Sequence, residues 1–306
     1  YEQMKKENEI MDVYQLVKLY RRIKSPRLKL LGILGLHIMG KRYLYVVMDP
    51  SLACNLRCRM CYFSNAEKVK TMKGTFTADD LEAISRSVFH RAMKLQIGCG
   101  AEPTTYRGLS FLVRLAKTCG IPNVSITTNG NLLTSEKVDE LVDSGLDEII
   151  LSAHGLSREV YERMMTGASF DRFKALTDHL AQVKERCPSF HVRVNYTVCA
   201  DNIDDLLLLP DFFIRLKPDV IQLRPVQDIG SAVFSNYSME SLVSKYKSCI
   251  GTVVDFCQSN GILCLYPQVE NIEVISTEND ARHHLNSTVD LLPYFHLSPY
   301  EGWKNE

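Results

Sequence analysis

Strand-like and helix-like segments alternate through the central part of the chain. Short runs rich in β-branched and other apolar residues precede longer segments in which apolar residues recur every three or four positions, the period of an amphipathic helix. Six strand-like runs come before one long helix-like segment at Met239–Ser259. Because strands that alternate with helices favour parallel pairing with right-handed crossovers, the pattern predicts an α/β fold.

Cap and turn residues set the limits of these elements. Thr77 and Asp80 can form a capping box before a helix, Gly120 and Gly145 follow two helices as stops, and Pro210 should kink or divide another. Strands are predicted at residues 43–49, 95–99, 124–128, 148–152, 190–198 and 220–223, with a further strand-like run at 262–266. Helices are predicted at 81–95, 109–118 and 135–143, from near Ser157, from near Ser169 to before Pro188, and at 203–216 and 239–259.

The chain of 306 residues suits one large α/β domain with appendages. Residues 1–42 are expected to form a basic, amphipathic N-terminal extension. The α/β core is assigned to residues 43–235, and a C-terminal appendage of helix and strand to residues 236–306.

Three cysteines follow the first predicted strand within eight residues: Cys54, Cys58 and Cys61. Thiolates are the usual ligands of iron–sulfur clusters. A structural zinc site would need four ligands, usually on two paired arms, and no second arm with that spacing is present. The alternative is that the three cysteines are buried free thiols with a structural role only. The run is polar and turn-like, which does not suit a core strand. The spacing therefore favours a cluster in which one iron has no protein ligand.

The same run, followed by an aromatic residue, resembles the Cys-x3-Cys-x2-Cys signature of the radical S-adenosylmethionine (SAM) enzymes. Residues 100–103 (Gly-Ala-Glu-Pro) are similar to the family's Gly-Gly-Glu-Pro motif, residues 127–130 to its third-strand Thr-Asn-Gly, and residues 151–155 to its fourth-strand segment. These motifs span about residues 44–230 in the family's order. The pattern is most similar to the branch of the molybdopterin-precursor cyclase and the peptide-modifying maturases.

The resemblance implies an enzyme with a partial, six-stranded parallel (β/α)6 barrel. It implies that the three thiolates hold a 4Fe–4S cluster whose open iron chelates SAM through its amino and carboxylate groups. One-electron reduction would cleave SAM to methionine and a 5′-deoxyadenosyl radical, which removes a hydrogen atom from the substrate. A flavodoxin- or ferredoxin-like protein is the implied reductant, and the enzyme should be sensitive to oxygen.

The resemblance also implies contacts to SAM. The turn at residues 100–103 should meet the amino group of its methionine, since small residues let backbone carbonyls approach closely. Arg193 and Asn195 share one face of the fifth strand, where they suit a carboxylate or ribose. For Asn129 an ordinary role in an Asn-Gly turn stays open, and for Ser152 an ordinary role at the end of a strand. The implied cofactor-binding residues are Tyr62, Gly100, Ala101, Glu102, Asn129, Ser152, Arg193 and Asn195.

Other chemistry-bearing residues match the family less well. His154 stands where the family commonly has an aspartate, and it could touch substrate or fill a turn. Cys249, Cys257 and Cys264 do not match the dense cysteine pattern of the family's C-terminal cluster domains, so no auxiliary cluster is expected. The last forty residues carry no interpretable motif.

Charge is distributed unevenly, although the chain sums to zero and gives no sign of nucleic-acid binding. Residues 13–48 hold eight basic residues and no acidic one, so the remainder carries a net charge of minus eight. This basic segment with an apolar centre could lie on an anionic membrane surface or bind an anionic substrate. A helix that packs on the barrel with its basic face in water is the simpler alternative.

The sequence therefore predicts a cytoplasmic enzyme and leaves open a peripheral location at the inner face of the membrane. The first residues do not resemble a signal peptide. A peptide, a lipid-linked molecule or an anionic small molecule are the substrate classes considered. The alternative from another class is a metal- or cluster-binding protein at a membrane surface, without turnover.

Overall fold

Eight parallel strands form one open sheet in the computed structural model, which describes residues 25–226, 232, 239–267 and 294–299. The strand order is β7-β6-β5-β4-β3-β2-β1-β8, so β1 to β6 lie side by side in chain order. The strands are β1 Leu44–Met48, β2 Ala92–Ile97, β3 Asn123–Thr128, β4 Glu148–Ala153, β5 His191–Val198, β6 Val220–Pro225, β7 Leu263–Leu265 and β8 Tyr294–Leu297. The predicted partial barrel is thus confirmed, with one further strand on each edge.

Helices connect successive strands, and short polar side chains begin several of them. The predicted capping box is confirmed, since Thr77 accepts from the Asp80 N–H and Asp80 accepts from the Thr77 N–H. Ser157 and Ser169 cap the two helices after β4. The α-helices are α1 Pro26–Ile38, α2 Ala66–Thr71, α3 Ala78–Val88, α4 Leu109–Thr118, α5 Ser135–Asp143, α6 Arg158–Met164, α7 Phe170–Arg186, α8 Leu209–Phe213 and α9 Met239–Ser259.

The helix predicted at 81–95 is wrong beyond Val88, where α3 ends. A short 3₁₀ turn follows, and Ala92–Ile97 is strand β2, paired with β1 and β3. The apolar residues at 89–95 fit the period of a helix and the period of a strand equally well. Pairing with the neighbouring strands therefore decides which of the two forms. Pro210 does divide the helical segment at 203–216, because it occupies the first turn of α8 after a 3₁₀ stretch.

Both additional strands come from the C-terminal part of the chain. The predicted run at 262–266 supplies β7, which pairs with β6. Strand β8 was not predicted; it pairs with β1 and places His296 beside Val47. The division of the chain at residues 42 and 235 stays a prediction.

The two faces of the sheet differ in polarity. Alternate residues such as Val46, Ile126 and Val194 are fully buried against the helices and form the core. We call the opposite surface the inner face. Its residues include Tyr45, Lys94, Gln96, Ser125, Thr127, Glu148, Ser152, Arg193, Asn195, Gln222 and Arg224. A polar inner face beneath the carboxyl ends of parallel strands is the expected position of a catalytic pocket.

Within the described residues, none of the helices combines the length and the apolar character needed to cross a bilayer.

Candidate active site at the carboxyl ends of the strands

The cysteine loop, residues 50–64, leaves the end of β1 and is fixed to the segment that follows β4. The Arg57 N–H donates to the Thr166 carbonyl at 2.9 Å, and the Arg59 N–H donates to the Met164 carbonyl at 3.0 Å. The loop is therefore tied across the sheet to the end of α6, so its conformation depends on a distant part of the chain.

The three predicted ligand thiols lie half-buried in this loop. Burial raises the pKa of Cys54 to about 11 and also raises the pKa of Cys58 and Cys61. Nearby cysteine charges raise the pKa of Cys54 and Cys58 further. Binding of a cationic cluster would offset this cost by holding them as thiolates.

In the described part of the chain, no three His, Cys, Asp or Glu side chains converge on one point as a mononuclear metal would require. A cubane binds each thiolate through a different iron, so its sulfur ligands surround the cluster without meeting. The Leu56 N–H also donates to Cys54 Sγ at 3.5 Å, and the positive charge of Arg57 lowers the pKa of Cys54 against the effect of burial.

Asp49, at the end of β1, organises the turn after β2. It is buried, and its Oδ1 accepts from the backbone N–H groups of Cys99, Gly100 and Ala101 at 2.8, 3.1 and 3.2 Å. Its Oδ2 lies 2.7 Å from His296 Nε2 on β8. One carboxylate therefore links strand β1, the small-residue turn and the C-terminal strand.

Gly100 lies where no side chain fits. A Cβ there would be 2.7 Å from the Tyr62 hydroxyl and 3.3 Å from Asp49. The Tyr62 hydroxyl donates to the Gly100 carbonyl, and its ring stacks on Phe63 with the Lys68 ammonium 5.2 Å from the ring centre. Because a carbonyl oxygen has two lone pairs, Gly100 keeps one acceptor position for an ammonium.

Glu102 is buried, and its carboxylate accepts four hydrogen bonds from protein donors. Its Oε1 accepts from the Thr104 N–H and hydroxyl at 3.2 and 2.6 Å and from the Thr128 hydroxyl at 2.6 Å. Its Oε2 accepts from the Asn129 N–H at 2.8 Å. The Glu102 N–H in turn donates to the Ala53 carbonyl of the cysteine loop at 3.0 Å. Glu102 thus joins the ends of β2 and β3 to the cysteine loop.

Asn129 and Ser152 differ in their surroundings. The Asn129 amide is buried, donates to Asn55 Oδ1 at 2.9 Å and accepts from the Asn131 N–H at 2.9 Å, so it braces the cysteine loop. Ser152 is half-buried on the inner face and is the register partner of Asn195. Their side chains therefore lie together at the ends of β4 and β5.

Charged groups meet deeper on the inner face. Lys94 Nζ lies 2.6 Å from Glu148 Oε2, and Arg193 Nε lies 3.6 Å from Glu148 Oε1. Burial acts to raise the pKa of Glu148, but Lys94 and Arg193 outweigh it and the net pKa is lowered. Among the described residues, Arg193 Nε and Asn195 Oδ1 are buried without a hydrogen-bond partner. Both are polar atoms that a bound molecule could satisfy.

His154 is part of the scaffold. Its Nδ1 accepts from the Thr197 N–H at 3.2 Å, and its carbonyl accepts from the Asn202 amide at 3.0 Å. Burial lowers the pKa of His154 to about 4, so the ring is neutral near pH 7. The neutral ring fills the β4 turn and joins it to the end of β5.

The later cysteines lie away from this site. Cys249 and Cys257 are on α9 and pack into the core, and Cys264 on β7 raises the pKa of Cys257. All three carry free thiols.

Sequence reasoning missed Asp49, Lys94, Glu148 and His296. For Asp49 a signal was available, because an acidic residue at the carboxyl end of a buried strand lies where functional groups collect. The ion pair of Lys94 and Glu148 joins non-adjacent strands, and His296 reaches Asp49 across 247 positions. No local pattern encodes such partners.

Comparison with protein families matches the model described as the Radical SAM superfamily over residues 48–198. Among curated relatives, the probable GTP 3′,8-cyclase of Metallosphaera sedula is 29% identical over 195 residues, which cover 62% of this chain and 58% of that protein. The GTP 3′,8-cyclase of Chlorobaculum tepidum is 32% identical over 157 residues, covering 51% and 45%. The chain therefore spans about half the length of these relatives.

Solved structures share the fold at lower identity. Streptococcus suis SuiB bound to S-adenosylmethionine is 18% identical, with a TM-score of 0.62 over 94% of this chain and 69% of that one. SuiB bound to its precursor peptide SuiA is 19% identical, with a TM-score of 0.64 over 90% and 64%. At this identity the likeness shows the fold alone.

Proposed function

The chain belongs to the radical SAM superfamily, and we propose that it is an enzyme that cleaves SAM reductively and removes a hydrogen atom from its substrate. Membership implies a 4Fe–4S cluster and SAM as cofactors. When bound, they would supply a low-potential electron and, from SAM, a 5′-deoxyadenosyl radical.

The observation that carries the proposal is the physical connection between the cysteine loop and the turn after β2. The Glu102 N–H bonds Ala53 in the loop, while the Glu102 carboxylate bonds Asn129, whose amide bonds Asn55 in the same loop. A structural metal site needs no such coupling. A site that holds a cluster and a molecule chelated to it does, because both must keep one relative geometry.

Residues around the turn would bind SAM in distinct ways. The second acceptor position of the Gly100 carbonyl suits the ammonium of the methionine part. Asn195 Oδ1, buried without a donor, suits a ribose hydroxyl, and Ser152 beside it can bond the same group. Tyr62 holds the Gly100 carbonyl in place instead of approaching the cofactor with its hydroxyl.

Glu102 would act indirectly. Because both oxygens of its carboxylate already accept hydrogen bonds from protein donors, it positions Asn129 and the turn. Asp49 would do the same from the other side of the turn, by fixing the N–H groups of residues 99–101.

For the substrate, we propose only a choice among chemical classes. The curated relatives are named for cyclisation of GTP, and SuiB is described with a precursor peptide. A peptide, a lipid-linked molecule or an anionic small molecule therefore stay the classes to test, with a ferredoxin- or flavodoxin-like protein as the reductant.

Anaerobic reconstitution tests the activity. The wild-type chain should bind about four irons and release 5′-deoxyadenosine from SAM when reduced with dithionite. Serine in place of Cys54, Cys58 or Cys61 should abolish both. Cys119→Ser is the matched control, because Cys119 is also a half-buried free thiol but follows α4 on the outside of the sheet.

The same experiment distinguishes the enzyme from the alternative, a metal-binding protein without turnover. Stoichiometric zinc in place of iron, or a reconstituted cluster that never cleaves SAM, would contradict the enzyme. No specific observation favours this alternative.

We also propose that α1 rests on an anionic membrane surface. Its exposed apolar residues lie largely on one stripe of the helix: Leu30, Leu31, Leu34 and Ile38, which are 58%, 62%, 50% and 75% exposed. Exposed Arg27 and Lys41 flank it, and no acidic residue occurs between positions 13 and 48. An apolar stripe bounded by cations matches the interface of an anionic bilayer.

Vesicle flotation tests this contact. The protein should float with vesicles of phosphatidylcholine and phosphatidylglycerol at low salt, and less with phosphatidylcholine alone or at high salt. Leu31→Ser with Leu34→Ser should reduce flotation, whereas Leu207→Ser, at a 50% exposed leucine elsewhere, should not. Equal flotation of both variants would contradict the proposal.

A further inference from the structure

Strand β8 contacts the residue that organises the turn after β2. The Asp49 N–H donates to the Leu297 carbonyl at 2.9 Å, and His296 Nε2 lies 2.7 Å from Asp49 Oδ2. Because a carboxylate accepts, Nε2 is the donor of this second bond. The C-terminal strand therefore holds Asp49 by its backbone and by its side chain.

The residues just after β8 pack against the support of the cysteine loop. Pro299 is buried against Gly74, where an added Cβ would lie 1.7 Å from the Pro299 carbonyl oxygen. The Gly74 carbonyl accepts from the Leu52 N–H, at the start of the cysteine loop, at 3.0 Å. Residues 294–299 thus contact the supports of both the turn and the cysteine loop.

His296 fixes the orientation of the Asp49 carboxylate. The Asp49 side chain is 2% exposed, and its Oδ1 accepts from three successive backbone N–H groups, those of residues 99–101. Its Oδ2 accepts from His296 and, at 3.1 Å, from the Gly100 N–H. The carboxylate can turn away from the backbone donors only if the His296 bond breaks. In a buried site such a bond to a carboxylate is stronger than in water.

We propose that His296 is a positioning residue for SAM, because it holds Asp49 and thereby fixes the turn whose Gly100 carbonyl would receive the methionine ammonium. The inference rests on the proposed function and adds the C-terminal strand to the site. His296 acts through Asp49 and needs no contact with SAM. By linkage, if the seating of β8 favours SAM binding, bound SAM favours the seating of β8 to the same extent.

Equilibrium binding of radiolabelled SAM to the reconstituted, unreduced protein tests the role of the bond. His296→Ala should bind SAM about ten-fold more weakly, because a buried carboxylate oxygen loses its donor. His296→Gln should recover most of the affinity, since its amide also offers an N–H donor. Phe295→Ala is the control: Phe295 is 50% exposed on the opposite face of β8, so its loss removes side-chain packing without removing the bond to Asp49.

Amide hydrogen exchange, read by mass spectrometry on the same samples, tests the linkage. SAM should slow the exchange of residues 294–299 in the wild type and in His296→Gln, and should not do so in His296→Ala. A residue that serves only stability would change exchange equally with and without SAM. Iron is counted in every sample, and affinities are compared per chain that holds a cluster.

Three results would overturn the proposal. They are wild-type SAM affinity in His296→Ala, a loss in His296→Gln or Phe295→Ala equal to that in His296→Ala, and a wild type in which SAM leaves the exchange of residues 294–299 unchanged. The last result needs no variant, so it stands even if His296→Ala fails to fold. A wild type that binds SAM but releases no 5′-deoxyadenosine on reduction would instead contradict the proposed function alone, because binding and exchange do not depend on turnover.

Discussion

Glu102→Gln is the most informative single change, because it separates an indirect role from contact with the cofactor. A glutamine oxygen at the Oε1 position keeps the bonds from Thr104 and Thr128. Its amide nitrogen then faces the Asn129 N–H, where the carboxylate accepted at 2.8 Å. Two buried donors confront each other, and the surviving bonds lose their ionic character.

The magnitude follows from these contacts. One lost bond with an unsatisfied buried donor costs about 1–3 kcal/mol, and weaker bonds to a neutral amide add to it. Burial raises the pKa of Glu102 despite its donors, so removing the buried charge offsets part of the loss. We expect the free energy of unfolding to fall by about 2 kcal/mol.

Urea unfolding of the cluster-free protein, followed by SAM binding after reconstitution, measures both effects. Glu67→Gln is the control, since that carboxylate is 81% exposed and pairs with Lys70 on the surface. Its loss should be less than about 0.5 kcal/mol. If Glu102→Gln is as stable as the control and yet loses SAM binding, Glu102 contacts the cofactor directly and the indirect role is refuted.

Three further predictions concern other contacts. Gly100→Ala should destabilise the protein by about 1–3 kcal/mol, because its Cβ would lie 2.7 Å from the Tyr62 hydroxyl, and Tyr62→Phe in the same chain should restore part of the loss. Asp219 raises the pKa of His191, so the protonated ring stabilises the fold below pH 6.5 and this contribution is lost as pH rises through the folded pKa; urea midpoints of His191→Gln should lack that decline. Leu56→Ala should cost about 2–4 kcal/mol and reduce iron retention, because Leu56 is 1% exposed and anchors the cysteine loop.

Each of these has a matched comparison. Tyr62→Phe alone removes one hydrogen bond and should cost about 1 kcal/mol, so strictly additive losses in the double variant would contradict the steric argument. Parallel pH profiles for wild type and His191→Gln would contradict the second prediction. Leu132→Ala, at a 41% exposed leucine, should change neither stability nor iron content, and an equal effect there would contradict the third.

The fold was largely readable from local patterns. The helices Leu109–Thr118 and Ser135–Asp143 coincide with the predicted bounds, because glycines with positive φ follow both and Thr134 caps the start of the second. The prediction failed at residues 89–95, where apolar positions fit both a helix and a strand, and at β8, whose four residues carry no turn signal of their own. Pairing with β1 decided both.

The candidate site was only partly readable. The sequence placed small residues, Glu102 and Asn129 together at strand ends, but it could not show that the Glu102 carboxylate is already occupied. Alternation along the fifth strand places Arg193 and Asn195 on the same face. It could not reveal the ion pair of Lys94 and Glu148, because those residues lie on non-adjacent strands. Contacts of that kind depend on how the sheet curves, which no periodicity records.

By itself, the sequence determined the spacing of the candidate ligands: three thiols within eight residues, followed by strand-end motifs in an order that resembles the radical SAM enzymes. These features are local, because ligand spacing and strand alternation act over a few residues. Tertiary structure alone decided that Asp49 joins the turn after β2 to His296, and that Lys94 pairs with Glu148 across non-adjacent strands. Hydrogen bonds and charges act through space, so their partners are fixed only when the chain has folded.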